Sequence, residues 1–178
     1  MDNYRIMKEI FQTNRLILRE YTQEDFNDLL SILSDPETMK YYPKPYDEKG
    51  CQRWLDWSFN NYKTYGYGLW AVQLKSTGEF LGDCGITMQQ INGKTLPELG
   101  FHIHKNHHKK GYATEAGKGV LSHIFKTTDF THIYCYQTKD NLPSRKTAEK
   151  LGFTLLEEYV ENNVPHTAYR LSREQFLS

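Results

Sequence analysis

The 178-residue chain is long enough to bury a core without disulfides or metal and short enough for one domain, residues 1–178. Its 22 basic and 22 acidic side chains cancel, which excludes the global field that draws a protein to nucleic acid or to an anionic membrane. No apolar run approaches the roughly 18 residues that span a bilayer, and no signal-peptide core stands at the amino terminus. Cys51, Cys84 and Cys135 lack zinc-site spacing, so the expectation is a soluble cytoplasmic protein with buried thiols.

In chain order, Arg15 to Tyr21 alternates as a first strand, and Thr22 to Asp25 forms a capping-box pattern before a short helix over Phe26–Leu33. Pro36, Pro43 and Pro45 break the path, leaving the aromatic stretch Met39 to Tyr42 irregular. From Asp47 to Tyr65 the apolar positions recur at three and four, which predicts a second helix. Gly68 to Leu74 and Glu79 to Thr87 read as strands joined through Ser76-Thr77-Gly78. Asn92-Gly93 marks a tight turn into a strand over Leu96 to His104, whose alternation places Glu98, His102 and His104 on one face.

A basic turn ending in Gly111 then runs into a helix with the stripe Ala113, Ala116, Gly117, Val120, Leu121, Ile124 and Phe125. The remainder reads as a strand at His132–Tyr136, a helix at Ser144–Leu151, and strands at Phe153–Tyr159 and Ala168–Leu171 joined through Asn162, Asn163 and Pro165. The sum is an α/β (α+β) chain in which an antiparallel meander precedes a strand-helix unit on one mixed sheet.

Backbone N–H groups at a helix start lack internal partners and carry the positive end of the helix dipole, so the Gly111 turn suits a phosphate. It is neither a Walker loop, for want of Gly-x-x-x-x-Gly-Lys-Ser/Thr, nor a dinucleotide fingerprint. An ordinary turn before a helix would look the same. The flanking segments are more specific. Pro97-Glu98-Leu99-Gly100-Phe101, Lys110-Gly111-Tyr112-Ala113-Thr114-Glu115-Ala116, Asn141-Leu142-Pro143-Ser144 and Glu149-Lys150-Leu151-Gly152-Phe153 follow one another in order. Together they resemble the GNAT superfamily of acetyl-CoA-dependent N-acetyltransferases, within it the branch of the ribosomal-protein N-terminal acetyltransferases RimJ and RimL.

The resemblance implies a mostly antiparallel twisted sheet of about six to seven strands, splayed between its fourth and fifth, with four main helices on both faces. It places the CoA pyrophosphate on the turn from His108 through Lys109, Lys110, Gly111, Tyr112 and Ala113 to Thr114. The pantetheine arm would pair with the main chain of Phe101, His102 and Ile103 and touch the Asn141 side chain. His108 and Lys109 stand where the family commonly has Gln or Arg and Gly; amides rather than these side chains would meet the anion.

Amide formation from a thioester needs a neutral amine, a polarised carbonyl and a proton for the departing thiolate. Glu98 is the candidate base, with His102 next. The tyrosine that commonly supplies the thiol proton is replaced by Ala148, and Ser144 resembles the branch's substitute near the sulfur, although a serine there is as readily a helix cap. By analogy of position, Met39, Tyr41, Tyr42, Trp54 and the hairpin at Asn162–His166 form the acceptor site, though such aromatics also pack cores. His102, His104, His107 and His108 are weighed as metal ligands and set aside, because no acid or cysteine completes the set and Lys109 and Lys110 repel a cation. Cys135 lies in an apolar strand with no adjacent base and reads as inert.

The expectation is therefore an enzyme, monomeric or homodimeric, that passes acetyl from acetyl-CoA to a primary amine in a ternary complex, without metal, nucleic acid or membrane. The acceptor is a protein N-terminus or a small amine. The alternatives are detoxification of an antibiotic or other small amine and a CoA-binding sensor without turnover.

Overall fold

A computed structural model describes residues 7–178. Eight strands form one sheet: β1 (Glu9–Gln12), β2 (Leu16–Arg19), β3 (Leu69–Leu74), β4 (Phe80–Ile91), β5 (Lys94–Ile103), β6 (His132–Thr138), β7 (Thr154–Glu161) and β8 (Val164–Ser172). Their order is β1-β2-β3-β4-β5-β6-β8-β7. The helices are α1 (Phe26–Leu33), α2 (Glu48–Tyr65), α3 (Tyr112–Thr127), α4 (Leu142–Lys150) and α5 (Arg173–Leu177).

Local chemistry explains most of these boundaries. Asp47 caps α2 by accepting from Gly50 N at 2.7 Å, and Gly66 ends it. At the capping box before α1, the Asp25 carboxylate accepts from Thr22 N at 2.8 Å and forms a buried fork with Arg19. Asn92-Gly93 and Asn162-Asn163 all hold positive φ, the two-residue hairpin geometry that matches strand twist. On α3 the buried stripe runs Ala116, Gly117, Val120, Leu121, Ile124, Phe125, against a core that includes Trp70, Leu99 and Ile133; Ala113, expected in it, is only half-buried.

The sheet exceeds the expected six to seven strands. β1 is a four-residue edge strand bounded by Glu9 and Gln12, too short and polar for an alternation signal. α5, a fifth helix, spans five residues behind a Ser172–Gln175 capping box.

One junction positions the site. β5 and β6 are parallel neighbours, yet they pair only at Glu98 opposite Tyr134. On its other side β5 is zipped to β4 from Lys94 to Ile103. The His104 amide donates to Leu81 O, and the His102 carbonyl lies 1.8 Å from where a Cβ on Gly82 would stand, so alternate residues 102 and 104 face β4. Pro97, Leu99, Phe101 and Ile103 then face β6. Pro97 has no N–H for the ladder, and beyond Leu99 the two strands have parted.

Candidate active site

Helix α3 is entered through a twisted turn. A 3-10 segment at Lys105–His107 leads to His108, Lys109 takes φ 61° and Gly111 φ 80°. The first helical bond runs from Glu115 N to Gly111 O, so the Tyr112, Ala113 and Thr114 amides precede it and stay open to a ligand. Left-handed residues alternating with ordinary ones turn successive N–H groups to one side, making an anion nest.

The turn is clamped from the β1–β2 connection. Arg15 donates Nε to Glu115 Oε2 at 2.6 Å and Nη1 to the Lys110 carbonyl at 2.9 Å, and its guanidinium lies 4.5 Å above the Tyr112 ring. The Arg15 amide and the Thr13 hydroxyl both reach Glu115 Oε1 at 2.7 Å. Burial pushes the Glu115 carboxyl up, but these donors outweigh it and hold it below the usual range. Sequence reasoning missed this clamp, because its members lie about 100 residues apart and carry no motif.

Several expectations change at the splay. Phe101 and Ile103 present main chain toward the gap, but His102, expected to pair there too, turns its main chain to β4. The alternation of a strand allows only every second residue to face a given neighbour. The Ile103 carbonyl is met by the His108 ring, Nε2 to O 2.6 Å, so His108 folds back on β5. Asn141 caps α4, its Oδ1 accepting from Ser144 N at 3.2 Å, which leaves Nδ2 as the group able to reach a ligand. The Ser144 hydroxyl donates to Gln137 Oε1 at 3.4 Å. Ala148 is fully buried.

Between β5 and β6 opens a cleft of about 910 Å³, bordered by Glu98, His102, Tyr41, Tyr42, Trp54 and Ser144, with the β7–β8 hairpin contributing Asn162, Val164 and His166. That volume suits an organic ligand. Met39, expected among the acceptor residues, is 1 % exposed in the core and does not border it. His104, expected beside Glu98, lies past the end of β5 and accepts from Asn106 N. The imidazoles weighed as metal ligands have other partners: His107 meets Glu79 at 3.1 Å and His108 meets Ile103. Among the described residues no group of three or more His, Cys, Asp or Glu side chains could hold a metal ion.

At the cleft floor a chain of polar groups was not foreseen. Asp83, fully buried, approaches His102 Nδ1 at 2.7 Å, and His102 Nε2 lies 2.6 Å from the Tyr42 hydroxyl. The other Asp83 oxygen accepts from Tyr21 Oη at 2.7 Å and from Trp54 Nε1 at 3.2 Å. Burial pushes the His102 imidazolium down, but the Asp83 carboxylate outweighs it and the pKa is raised. Burial pushes Glu98 up to about 8, opposed by His102 and reinforced by Asp83. Cys135 borders the cleft with its thiol pushed well up by burial, and all three cysteines are free and buried. Asp83 offered no sequence signal, because an acid inside an apolar strand gains meaning only from its partner on the next strand.

Comparison with known proteins converges on one family. The acetyltransferase (GNAT) domain matches residues 15–154. The uncharacterized protein YkkB of Bacillus subtilis (strain 168) is 35% identical over 158 residues, covering 88% of this chain and 92% of YkkB. Among solved structures, an acetyltransferase from Agrobacterium tumefaciens superposes with a TM-score of 0.81 at 24% identity, over 97% of this chain and 99% of that one. The spermidine N-acetyltransferase from Vibrio cholerae, solved with CoA and spermine, superposes at 0.76 and 16% identity, over 93% of this chain and 100% of that one. At these identities the two structures speak to the fold alone.

Proposed function

Because the chain belongs to the acetyltransferase (GNAT) family and is an N-acetyltransferase, we propose that it moves acetyl from acetyl-CoA to a primary amine by direct attack within the β5–β6 cleft. The observation that carries this reading is the main chain of Phe101 and the Ile103 amide, left unpaired by β6, beside the nest at Lys109–Thr114. A pantetheine amide needs such an unpaired strand edge, and a pyrophosphate needs such a nest. When bound, acetyl-CoA supplies the activated acyl group.

In this reading the amides from Lys109 to Thr114 hold the pyrophosphate and the Asn141 amide steadies the arm. Ser144 Oγ, within the cleft, protonates the departing thiolate. Glu98 and His102 border the place of the amine, and its proton passes to that pair. The Asn141-x-x-Ser144 arrangement supports placement in the RimJ/RimL-like branch. The acceptor is a protein N-terminus or a small amine; the walls of Tyr41, Tyr42 and Trp54 favour a small organic amine with an apolar body. No helix among the described residues is long and apolar enough to cross a membrane, and with three free thiols the reading places a single-domain enzyme in the cytoplasm.

A CoA-binding sensor is the second reading, favoured by Ala148 where the usual acid would stand. Thiol release from acetyl-CoA separates the two when measured across spermidine, phenethylamine, an aminoglycoside and a Ser-initiated peptide. The enzyme reading predicts amine-dependent release with at least one acceptor. Stabilisation by CoA with no release from any of them would support the sensor.

A further inference from the structure

We propose that His102, aligned by the buried Asp83, is the general base that takes the acceptor's proton, and that the Tyr42 hydroxyl caps it until the amine arrives. This rests on the acetyl-transfer reading and deepens it. An ionised carboxylate can only accept, so the Asp83 oxygen 2.7 Å from Nδ1 requires that nitrogen to carry the proton. In the neutral ring Nε2 then holds the lone pair and accepts from Tyr42 at 2.6 Å. Tyr21 and Trp54 both donate to the second Asp83 oxygen, which fixes the carboxylate and through it the ring. Trp54 also packs edge-on against the imidazole, with centroids 5.0 Å apart.

The titratable groups facing His102 are Asp83 from β4, Glu98 from β5 and Tyr42 from the segment after α1. Asp83 and Glu98 both raise the His102 pKa, and the Asp83 contact orients the ring, which makes the imidazole the group placed to take the proton. Tyr42 is 39% exposed as a residue and lies in the irregular segment after α1, outside the core, so a turn of its side chain frees Nε2. Nε2 removes one ammonium proton; the nitrogen lone pair forms the C–N bond at the thioester carbonyl. As the C–S bond breaks, Ser144 Oγ gives its proton to the thiolate, which leaves as free CoA; the second proton on nitrogen restores the Ser144 hydroxyl, and the proton on Nε2 is released to solvent. Asp83 touches neither substrate nor acyl group and is a positioning residue.

The test is long-range 1H–15N NMR of the full chain labelled in histidine, paired with the pH dependence of kcat/KM for the amine that releases thiol fastest. Wild-type His102 should be protonated at Nδ1 when neutral, and its titration midpoint should coincide with the acid limb of kcat/KM. Asp83→Asn should lower both midpoints together and cut kcat/KM by about a hundredfold. His102→Gln, which leaves Asp83 in place, should abolish that limb while acetyl-CoA still stabilises the protein. A wild-type ring protonated at Nε2, or an acid limb unmoved in Asp83→Asn or retained in His102→Gln, overturns the proposal. Failure of wild-type transfer to every amine, with the Nδ1 tautomer intact, would instead overturn the acetyl-transfer reading.

Discussion

Glu98 and His102 share one cleft, yet their environments act on them differently. Among the described residues the only opposite charge acting on the glutamate is His102, so burial dominates and its carboxyl reaches about 8. The histidine is as enclosed but meets a fixed carboxylate at 2.7 Å. A carboxyl that holds its proton to about 8 in the fold, but releases it near 4.5 when unfolded, binds more protons folded across that window. Stability must therefore fall as pH rises between those values. Glu98→Gln should accordingly raise the melting temperature by a few degrees at pH 8.5 and leave it nearly unchanged at pH 5, checked by thermal denaturation at both. Ser144→Ala should lower kcat at saturating acetyl-CoA by about a hundredfold or more, the order of one proton transfer. An unchanged rate would show that the thiolate draws its proton elsewhere.

The residues that sequence motifs could reach were those whose role follows from local backbone. Gly111 must adopt φ 80°, and Asn141 must cap a helix, so each is visible from its neighbours. Asp83, Thr13 and Glu115 act only through partners on distant elements, and no periodicity announces them. Met39 shows the converse, since an aromatic-rich irregular segment suggested a site wall while its apolar side chain was claimed by the core.

At the scale of elements, the cleft depends on two contacts that hold backbone in place. The first is the Arg15–Glu115 clamp across the start of α3. Glu115→Ala should weaken CoA binding by about tenfold, or ~1.4 kcal/mol, as titration calorimetry would report, because the nest loses its support and not its amides. The second is the close approach of β4 and β5 at Gly82, where a Cβ would meet the His102 carbonyl at 1.8 Å. Gly82→Ala should cost about 3 kcal/mol, read as a fall in denaturation midpoint, and displace His102 with it. The long elements were legible because their apolar periods are strong; α2 and the β4–β5 hairpin carry capping and turn residues that agree with those periods. The parting of β5 from β6 has no period of its own. Only Pro97, which cannot donate to a ladder, hints at it locally, and the expectation of a splay came from family resemblance.

For the whole molecule, one sheet carries both halves of the proposed chemistry: β4 and β5 bring the acid-base cluster, and the start of α3 and the β5 edge bring the CoA seat. The core beneath them, with Trp70, Leu99 and Leu121 almost fully enclosed, fixes their separation. Whether this cleft holds acetyl-CoA is read from a thermal shift with 1 mM acetyl-CoA, because a ligand that binds only the folded chain must stabilise it by mass action. At a concentration about a hundred times Kd the gain is ~2.7 kcal/mol, which for a chain of this size is a rise of roughly 6–10 °C. A rise of that order, reduced in Glu115→Ala, is the predicted result; an unmoved melting temperature at millimolar acetyl-CoA would contradict the account.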